Sequence, residues 1–409
     1  MIVMSNGFNR FILATAAAEV AKAGKLGLFI TGPYPTPAVE KWIDRLGLRG
    51  ARKLGRLTGR KEAIPPEKIR PLWASEAIYA ARVFAGPLRQ TLTVAGMQAY
   101  CDAAARLLPQ AVKDGARVYH YRAGFGGRSI AVARDLGMVT ICDHSIVHPA
   151  FVASLAESRG RLDLARVDGP MVPVERHILK DFDEADHLVV NSDFVRQTFL
   201  RLGYSDARIS VVPQGIDDGF LRMLPESPPA RHRSGPLRLL APSFSERKGA
   251  PTLAGALAGL DDVDWELSIT RSIEPEMHGL HKEFLADPRV HCSNPERREL
   301  AALMAEHDVV VFPTYAEGSA RVIFEALAAG AYVITTPNAG SVVQDGVNGR
   351  LIPPGDEEAV RVAIREVAHI RDRLPEIAQI NAHLVRQNYS QQHYGEGLLS
   401  IYEKLLGGK

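Results

Sequence analysis

Apolar and polar positions alternate along this chain in blocks that predict strands and helices by turns. The clearest block is Val309 to Pro354. Val309-Val310-Val311-Phe312 is a continuous, β-branched apolar run, as in a strand buried on both faces. A polar loop, Thr314 to Gly318, follows it and holds Glu317. Ala320 to Ala329 contains helix formers without Gly or Pro, and Gly330 stands at the C-cap. Tyr332-Val333-Ile334-Thr335 is the next buried strand. The block predicts a βαβ unit whose loop lies at the carboxyl end of its first strand, where open α/β sheets bind ligands.

The same alternation runs through the rest of the chain. Met1 to Met4 is a strand, Ser5-Asn6-Gly7 a turn, Phe8 to Ala23 a helix ended by Gly24, and Leu26 to Ile30 a strand. Residues 74–114 read as alanine-rich helix and Arg117 to Tyr121 as a strand. Arg122 to Arg128 is a glycine-rich turn opening the helix Ser129 to Leu136. It lacks the G-x-G-x-x-G spacing, which excludes a dinucleotide fingerprint and leaves tight packing or close approach to a substrate. Met138 to Cys142 is a strand, Asp193 to Leu202 a helix and Arg208 to Val212 a strand. Residues 224–236, LPESPPARHRSGP, carry prolines without apolar period and read as a linker. Beyond it come strands Leu237 to Leu240, Trp265 to Ile269 and Val290 to Cys292, then helices Glu296 to Glu306 and Glu357 to Val367. The tail Ser390 to Leu406 is an amphipathic helix. The division is 1–222 and 237–389, joined by 223–236, with 390–409 closing the chain.

Composition narrows the class. The 409 residues suffice for two domains, and apolar (46%) and charged (23%) contents are those of a globular protein. A net charge of +2 argues against bulk nucleic-acid binding. Cys101, Cys142 and Cys292 are widely spaced and odd in number, which fits neither a disulfide scaffold nor a metal site. MIVMSNGFNR lacks a signal-peptide pattern and no apolar run reaches membrane-spanning length, so a cytoplasmic location is expected. Residues 41–70 stand apart, with ten cations against three acids interleaved with Leu46, Leu48, Leu54 and Leu57 and flanked by Trp42 and Trp73. Such a stretch lies on an anionic bilayer, binds an anionic acceptor or is a solvated loop.

Candidate chemistry gathers at strand ends. The helix start after Glu317 offers unpaired N–H groups and a favourable dipole to an anion. Ser319 and Ala320 are small enough for a phosphate to approach, and Arg321 adds a cation. Glu317 and Glu325 read on spacing alone either as ordinary helix acids or as carboxylates touching two ends of one ligand. Arg247-Lys248-Gly249, at the turn after Leu237 to Leu240, combines cations with main-chain donors in a way that suits a diphosphate. His144 and His148 follow the strand Met138 to Cys142 beside Asp143, without a third group to complete a metal site.

The segment EGSARVIFEALAAGAYVITTPNAG, with DGVNGRLIPP after it, resembles the signature of glycosyltransferase family 4. These are retaining enzymes with two glutamates separated by seven residues, as Glu317 and Glu325 are. The resemblance implies an α/β GT-B fold, in which two Rossmann-like parallel-sheet domains face each other across a cleft and the last helix returns to the first. It implies that the first domain binds the acceptor. It also implies that Glu325 holds the ribose of a nucleotide-diphosphate sugar, UDP or GDP, that Glu317 sits beside the transferred sugar, and that His144, or His148, touches that sugar. Lys248-Gly249 matches the family's Lys-Gly, and Gly7 a cleft-lining glycine. Ser243 occupies a position that often holds arginine, so Arg247 or Arg321 is expected to replace it. Gln214 stands where Asn is usual. The implied reaction transfers a sugar, without a metal or other cofactor, to a hydroxyl of a cell-surface glycan or lipid-linked intermediate. A nucleotide-sugar epimerase of the same fold and a non-catalytic nucleotide-sugar-binding relative are the alternatives.

Overall fold

The computed structural model describes residues 1–9, 11–45, 57, 59–158, 172–229, 234–271 and 273–407. Seven parallel strands form the first sheet: β1 (Ile2–Ser5), β2 (Leu26–Thr31), β3 (Ile69–Pro71), β4 (Val118–Arg122), β5 (Val139–His144), β6 (His187–Val190) and β7 (Ile209–Val211). Their order is β3-β2-β1-β4-β5-β6-β7. Six parallel strands form the second: β8 (Leu237–Ala241), β9 (Trp265–Thr270), β10 (Val290–Ser293), β11 (Val309–Phe312), β12 (Tyr332–Thr335) and β13 (Gly349–Leu351). Their order is β10-β9-β8-β11-β12-β13. Strand order reverses between β1 and β4 and between β8 and β11. Ligands bind outside the carboxyl ends at such points.

Parallel strands covered by helices must be apolar on both faces, and β11 and β12 are buried throughout. Register runs straight from Val309 opposite Tyr332 to Phe312 opposite Thr335. This fixes where the β11 chain leaves the sheet and the loop holding Glu317 begins. Gly330, at φ 83°, follows the helix Arg321–Ala328 as a left-handed terminator.

Several elements depart from the sequence expectation. The stretch 74–114 is two helices, Trp73–Ala81 and Arg89–Lys113, broken by two short 3₁₀ turns. Gly86 at φ 47° and Pro87, which has no N–H to donate, account for the break. The first helix starts at Ile12 and not at Phe8. Asn9 there takes a left-handed φ of 63°, its carbonyl held by the Asn6 side chain at 2.9 Å. β5 extends to His144, two residues past its expected end.

The glycine-rich turn before the helix Arg128–Asp135 has a structural occupant. The N–H groups of Gly124, Gly126 and Gly127 donate to the buried Asp181 carboxylate at 2.7, 2.9 and 2.8 Å. The turn is an anion nest filled by the protein's own acid.

The basic stretch 41–70 falls partly outside the described residues, including Arg49, Arg52, Lys53 and Arg56. Within the described part, Arg60 pairs with Glu76 and Lys61 with Glu40, while Lys68 donates to the Leu26 carbonyl. Arg70 caps the carbonyls of Glu67 and Ile69.

The final helix, Gln391–Gly407, packs on the helix Ile12–Lys22. A Cβ on Gly395 would lie 2.4 Å from that of Glu19, and Tyr402 Oη is 2.6 Å from His120 Nδ1. The two chain crossings between the sheets also meet. The Ile216 N–H donates to the Tyr389 carbonyl at 2.7 Å, and a Cβ on Gly215 would strike that oxygen. Among the described residues no helix is long and apolar enough to cross a membrane.

Candidate active site

A cavity of about 830 Å³ opens between the carboxyl ends of the two sheets, the size of a small-ligand site. Phe11, Ile12, Thr15 and Ser145 line it from the first domain, and residues 317–321 with Glu325 from the second.

The loop after β11 is held from below by the turn after β8. Tyr315 N–H and Thr314 Oγ1 both donate to the Arg247 carbonyl, at 2.8 and 3.1 Å. The Arg247 guanidinium donates to Glu317 Oε1 at 2.9 Å and to the Ala316 carbonyl. Gly249 takes φ 78° and approaches the loop so closely that a Cβ would lie 2.1 Å from the Pro313 carbonyl oxygen. Gly249 thus serves this loop-to-loop contact.

Three cations here make no side-chain hydrogen bond or ion pair to described residues: Lys248, whose Nζ lies 5.8 Å from the centre of the Phe312 ring, Arg271 and Arg321. Arg271 and Arg321 line the cavity. Lys248 is half-buried, and desolvation lowers its pKa against the opposing pull of Glu317. An ammonium removed from water and left unpaired is costly, and an anion relieves that cost. Two buried hydroxyls, Ser319 Oγ and Ser243 Oγ, also lack partners among the described residues. Glu325 lines the cavity almost wholly buried. Burial raises its pKa, while Arg321, Arg271 and Arg297 oppose the shift.

Several expected site residues are placed otherwise. Gly7 is not on the cavity wall; its N–H donates to Tyr100 Oη at 3.1 Å, and a Cβ there would meet the Phe125 ring at 2.4 Å. As the last residue of β5, His144 faces away from the cavity into an aromatic cluster, 4.8 Å from the Phe182 ring. Burial, with Arg122 nearby, lowers its pKa to about 3. His148 joins the same cluster, 4.9 Å from Phe199, and burial lowers its pKa to about 4. Ser145, the next residue after His144, lines the cavity instead and accepts from Arg122 at 2.8 Å.

Gly318 lines the cavity but also joins the domains. A Cβ on it would lie 2.0 Å from the Ser145 carbonyl oxygen, and its own carbonyl accepts from Ser192 Oγ at 2.5 Å. Ala320 lines the wall as expected, yet its N–H is already donated to the Ala339 carbonyl. The main-chain donors expected over 318–320 are reduced to those of 318 and 319.

Residues not singled out from the sequence complete the wall. Arg271 follows β9 in a left-handed conformation, φ 72°, which is unusual for a residue with a side chain. Asp217 caps the helix Asp218–Leu221 and pairs with Arg297 at 2.8 Å. Asn294 also faces the cavity, as does Gln214, which the sequence had marked only as a departure from the family's usual Asn. No cluster of three metal-binding side chains occurs among the described residues.

Residues 238–369 match the family model described as Glycosyl transferases group 1. Over 279 residues, 66% of this chain and 66% of the relative, the sequence is 24% identical to an MMP alpha-(1->4)-mannosyltransferase of Mycolicibacterium hassiacum. It is 27% identical over 321 residues to a D-inositol 3-phosphate glycosyltransferase of Mycobacterium bovis, covering 71% of this chain and 62% of that one. The matches thus span less than two thirds of these relatives' own lengths. Among solved structures, a sucrose-phosphate synthase of Thermosynechococcus elongatus superposes with a TM-score of 0.65 at 18% identity, covering 100% of both chains. HepE of Anabaena in complex with UDP gives 0.62 at 14% identity, over 99% of this chain and 100% of that one. The fold is GT-B, and the second domain matches the group 1 glycosyltransferases over most of its length.

Proposed function

We propose that this protein is a retaining glycosyltransferase of family 4 that moves a sugar from a nucleotide-diphosphate sugar to a hydroxyl acceptor. The observation that carries the reading is the convergence on one cavity wall of Arg271 and Arg321, unpaired among the described residues, with the unpartnered Ser319 hydroxyl and buried Glu325, and with Lys248 close enough to Glu317 and Arg271 to feel their charge. A diphosphate supplies the missing charge and hydrogen-bond acceptors. A ribose supplies hydroxyl donors for the carboxylate. The UDP-bound structural neighbour supports a uridine or similar nucleotide.

Cleaving the sugar–phosphate bond develops negative charge on the leaving diphosphate and positive charge on the sugar carbon. Lys248 and the two arginines stabilise the first, in the cleft between the two domains. Glu317, steered by Arg247, lies where it can orient the sugar and offset the second. The acceptor enters from the side of Phe11, Thr15 and Ser145, and its hydroxyl attacks the face the diphosphate leaves, passing its proton to the departing phosphate oxygen. These side-chain cations serve the leaving group without a metal, so turnover should survive chelation by EDTA. The acceptor class we favour is a glycan or lipid-linked intermediate.

Arg271 takes the role that an arginine at position 243 would have. Arg247 does not, because it is already bound to Glu317. Arg271→Ala and Arg321→Ala should each weaken nucleoside diphosphate binding by about tenfold in calorimetry, the loss of one charge-assisted contact. Arg247→Ala should instead lower kcat through a loosened Glu317, with smaller loss of diphosphate affinity. Glu325→Gln should weaken a nucleoside diphosphate by about ten- to a hundredfold while leaving inorganic pyrophosphate binding unchanged.

The activity test measures nucleoside diphosphate release from a panel of nucleotide sugars, with and without hydroxyl acceptors. Release that requires an acceptor, with retained anomeric configuration in the product, supports transfer. Acceptor-independent release with an altered sugar would assign an epimerase, and binding without release a non-catalytic protein.

A further inference from the structure

The helix Trp73–Ala81 and the turns after it present an apolar face that nothing described covers. Trp73, Ala77, Ile78 and Ala81 lie along one exposed stripe of the helix. The stripe continues into the turn, where Phe84 is 92%, Val83 71% and Leu88 60% exposed. Scattered apolar residues on a surface are ordinary, but a contiguous patch at a protruding turn marks an interaction site.

The inner face explains why the outer one stays free. Ser75 is buried and Tyr79 packs against Phe8, ring centroids 4.8 Å apart. Gly96 of the helix Arg89–Lys113 comes so close that a Cβ would lie 2.9 Å from the Tyr79 backbone nitrogen. The helix is therefore anchored through one side only. Glu76 is consumed by Arg60, in a bridge at 2.6 Å.

Along the chain, the charges that follow Glu76 through this segment have one sign. From residue 77 to 101 there is no Asp or Glu, and the cations are Arg82 and Arg89. Arg82 lies over the Tyr79 ring at 3.5 Å and donates to the Tyr79 carbonyl, which holds its guanidinium at the base of the turn. Apolar side chains at the tip, cations beside them and an indole at the helix start are the arrangement of a segment seated at a lipid interface. Two copies meeting through this face would set Arg82 and Arg89 against their own equivalents, with no acid from residues 77–101 to pair them.

We propose that the segment 73–89 docks the first domain on an anionic lipid bilayer, with Val83, Phe84 and Leu88 entering the acyl boundary and Arg82 and Arg89 contacting phosphate headgroups. The anchor connects to the cleft through Arg60, which bridges Glu76 and the Asn9 side chain, two residues before cavity-lining Phe11. Docking there would hold the first-domain wall of the cavity near the membrane. The inference does not rest on sugar transfer, and its test uses no sugar donor.

Co-sedimentation with vesicles of phosphatidylcholine, alone or mixed with phosphatidylglycerol, tests it on the full chain. The protein should bind the mixed vesicles, more weakly as salt rises, and much less to phosphatidylcholine alone. The triple variant Val83→Ser, Phe84→Ser, Leu88→Ser should lose at least about tenfold in partitioning, because each side chain contributes buried apolar area. These positions are exposed, so the thermal midpoint should not move. As a check that needs no loss of binding, Phe84→Trp should show emission quenched by bromine-labelled lipids in mixed vesicles. Equal sedimentation of parent and triple variant, no binding at low salt, or an unquenched Phe84→Trp would overturn the proposal. So would a concentration-dependent dimer abolished by the triple variant, which would assign the face to a second copy.

Discussion

Lys248→Ala is expected to lower kcat/KM for sugar transfer by about 10²–10³, the cost of removing one preorganised group aimed at developing charge. The size follows from where the ammonium sits. It is half-buried, desolvated enough to lower its pKa, and unpaired among the described residues. Water screens it poorly, so a diphosphate beside it gains more than at an exposed lysine. Negative charge on the bridging oxygen grows as the sugar departs, so kcat should fall along with donor affinity. Lys248→Arg should restore part of the affinity and less of kcat, since a guanidinium places its charge differently. Steady-state kinetics with a fixed acceptor read both effects. Parent-like kcat and KM in Lys248→Ala would remove the leaving-group role.

Asp181→Ala should destabilise the first domain by about 3–5 kcal/mol, because it strips two buried and one partly buried amide N–H groups of their shared acceptor. The loop that loses its anchor runs from β4 to the helix Arg128–Asp135, and Asp181 belongs to the helix Pro173–Glu184. The substitution therefore uncouples two layers of the domain at one point. Asp181→Asn keeps an acceptor oxygen but places an amide donor against a backbone N–H, so its loss should be intermediate. Urea unfolding followed by circular dichroism gives the difference, and a loss within about 0.5 kcal/mol, the range of surface substitutions, would show that the nest is dispensable.

The nest shows where local reading of the chain stops. Gly124, Gly126 and Gly127 announce a turn, but its occupant comes from a helix more than fifty residues on. A substrate loop and a self-filled nest share the same glycines. His144 illustrates a related limit. A strand one or two residues longer than its apolar run decides which side of the sheet a terminal side chain takes. Cys142 and His144 consequently share the aromatic face, while Asp143 points the other way toward His120 and Arg122. Arg271 carried no local signal at all, being one arginine among many until β9 brings it to the cavity.

What was legible rested on signals strong over short distances. The run from β11 through the helix Arg321–Ala328 to β12 could be read because apolar runs, helix formers and a terminating glycine agreed. That agreement placed Glu317 and Glu325 on one loop and helix, and the structure sets both on the cavity wall. The Gly86-Pro87 break was equally local and was overridden by the alanine-rich pattern around it. Gly249 and Gly318 were legible as glycines near a site, but their function is loop-to-loop and domain-to-domain approach, which is a tertiary property.

A crystal structure with a bound nucleoside diphosphate tests the central claim most directly. The account predicts its phosphates within hydrogen-bonding distance of Lys248 Nζ, Ser319 and the Arg271 guanidinium, with both ribose hydroxyls on Glu325. A nucleotide seated with its phosphates away from these groups would contradict it.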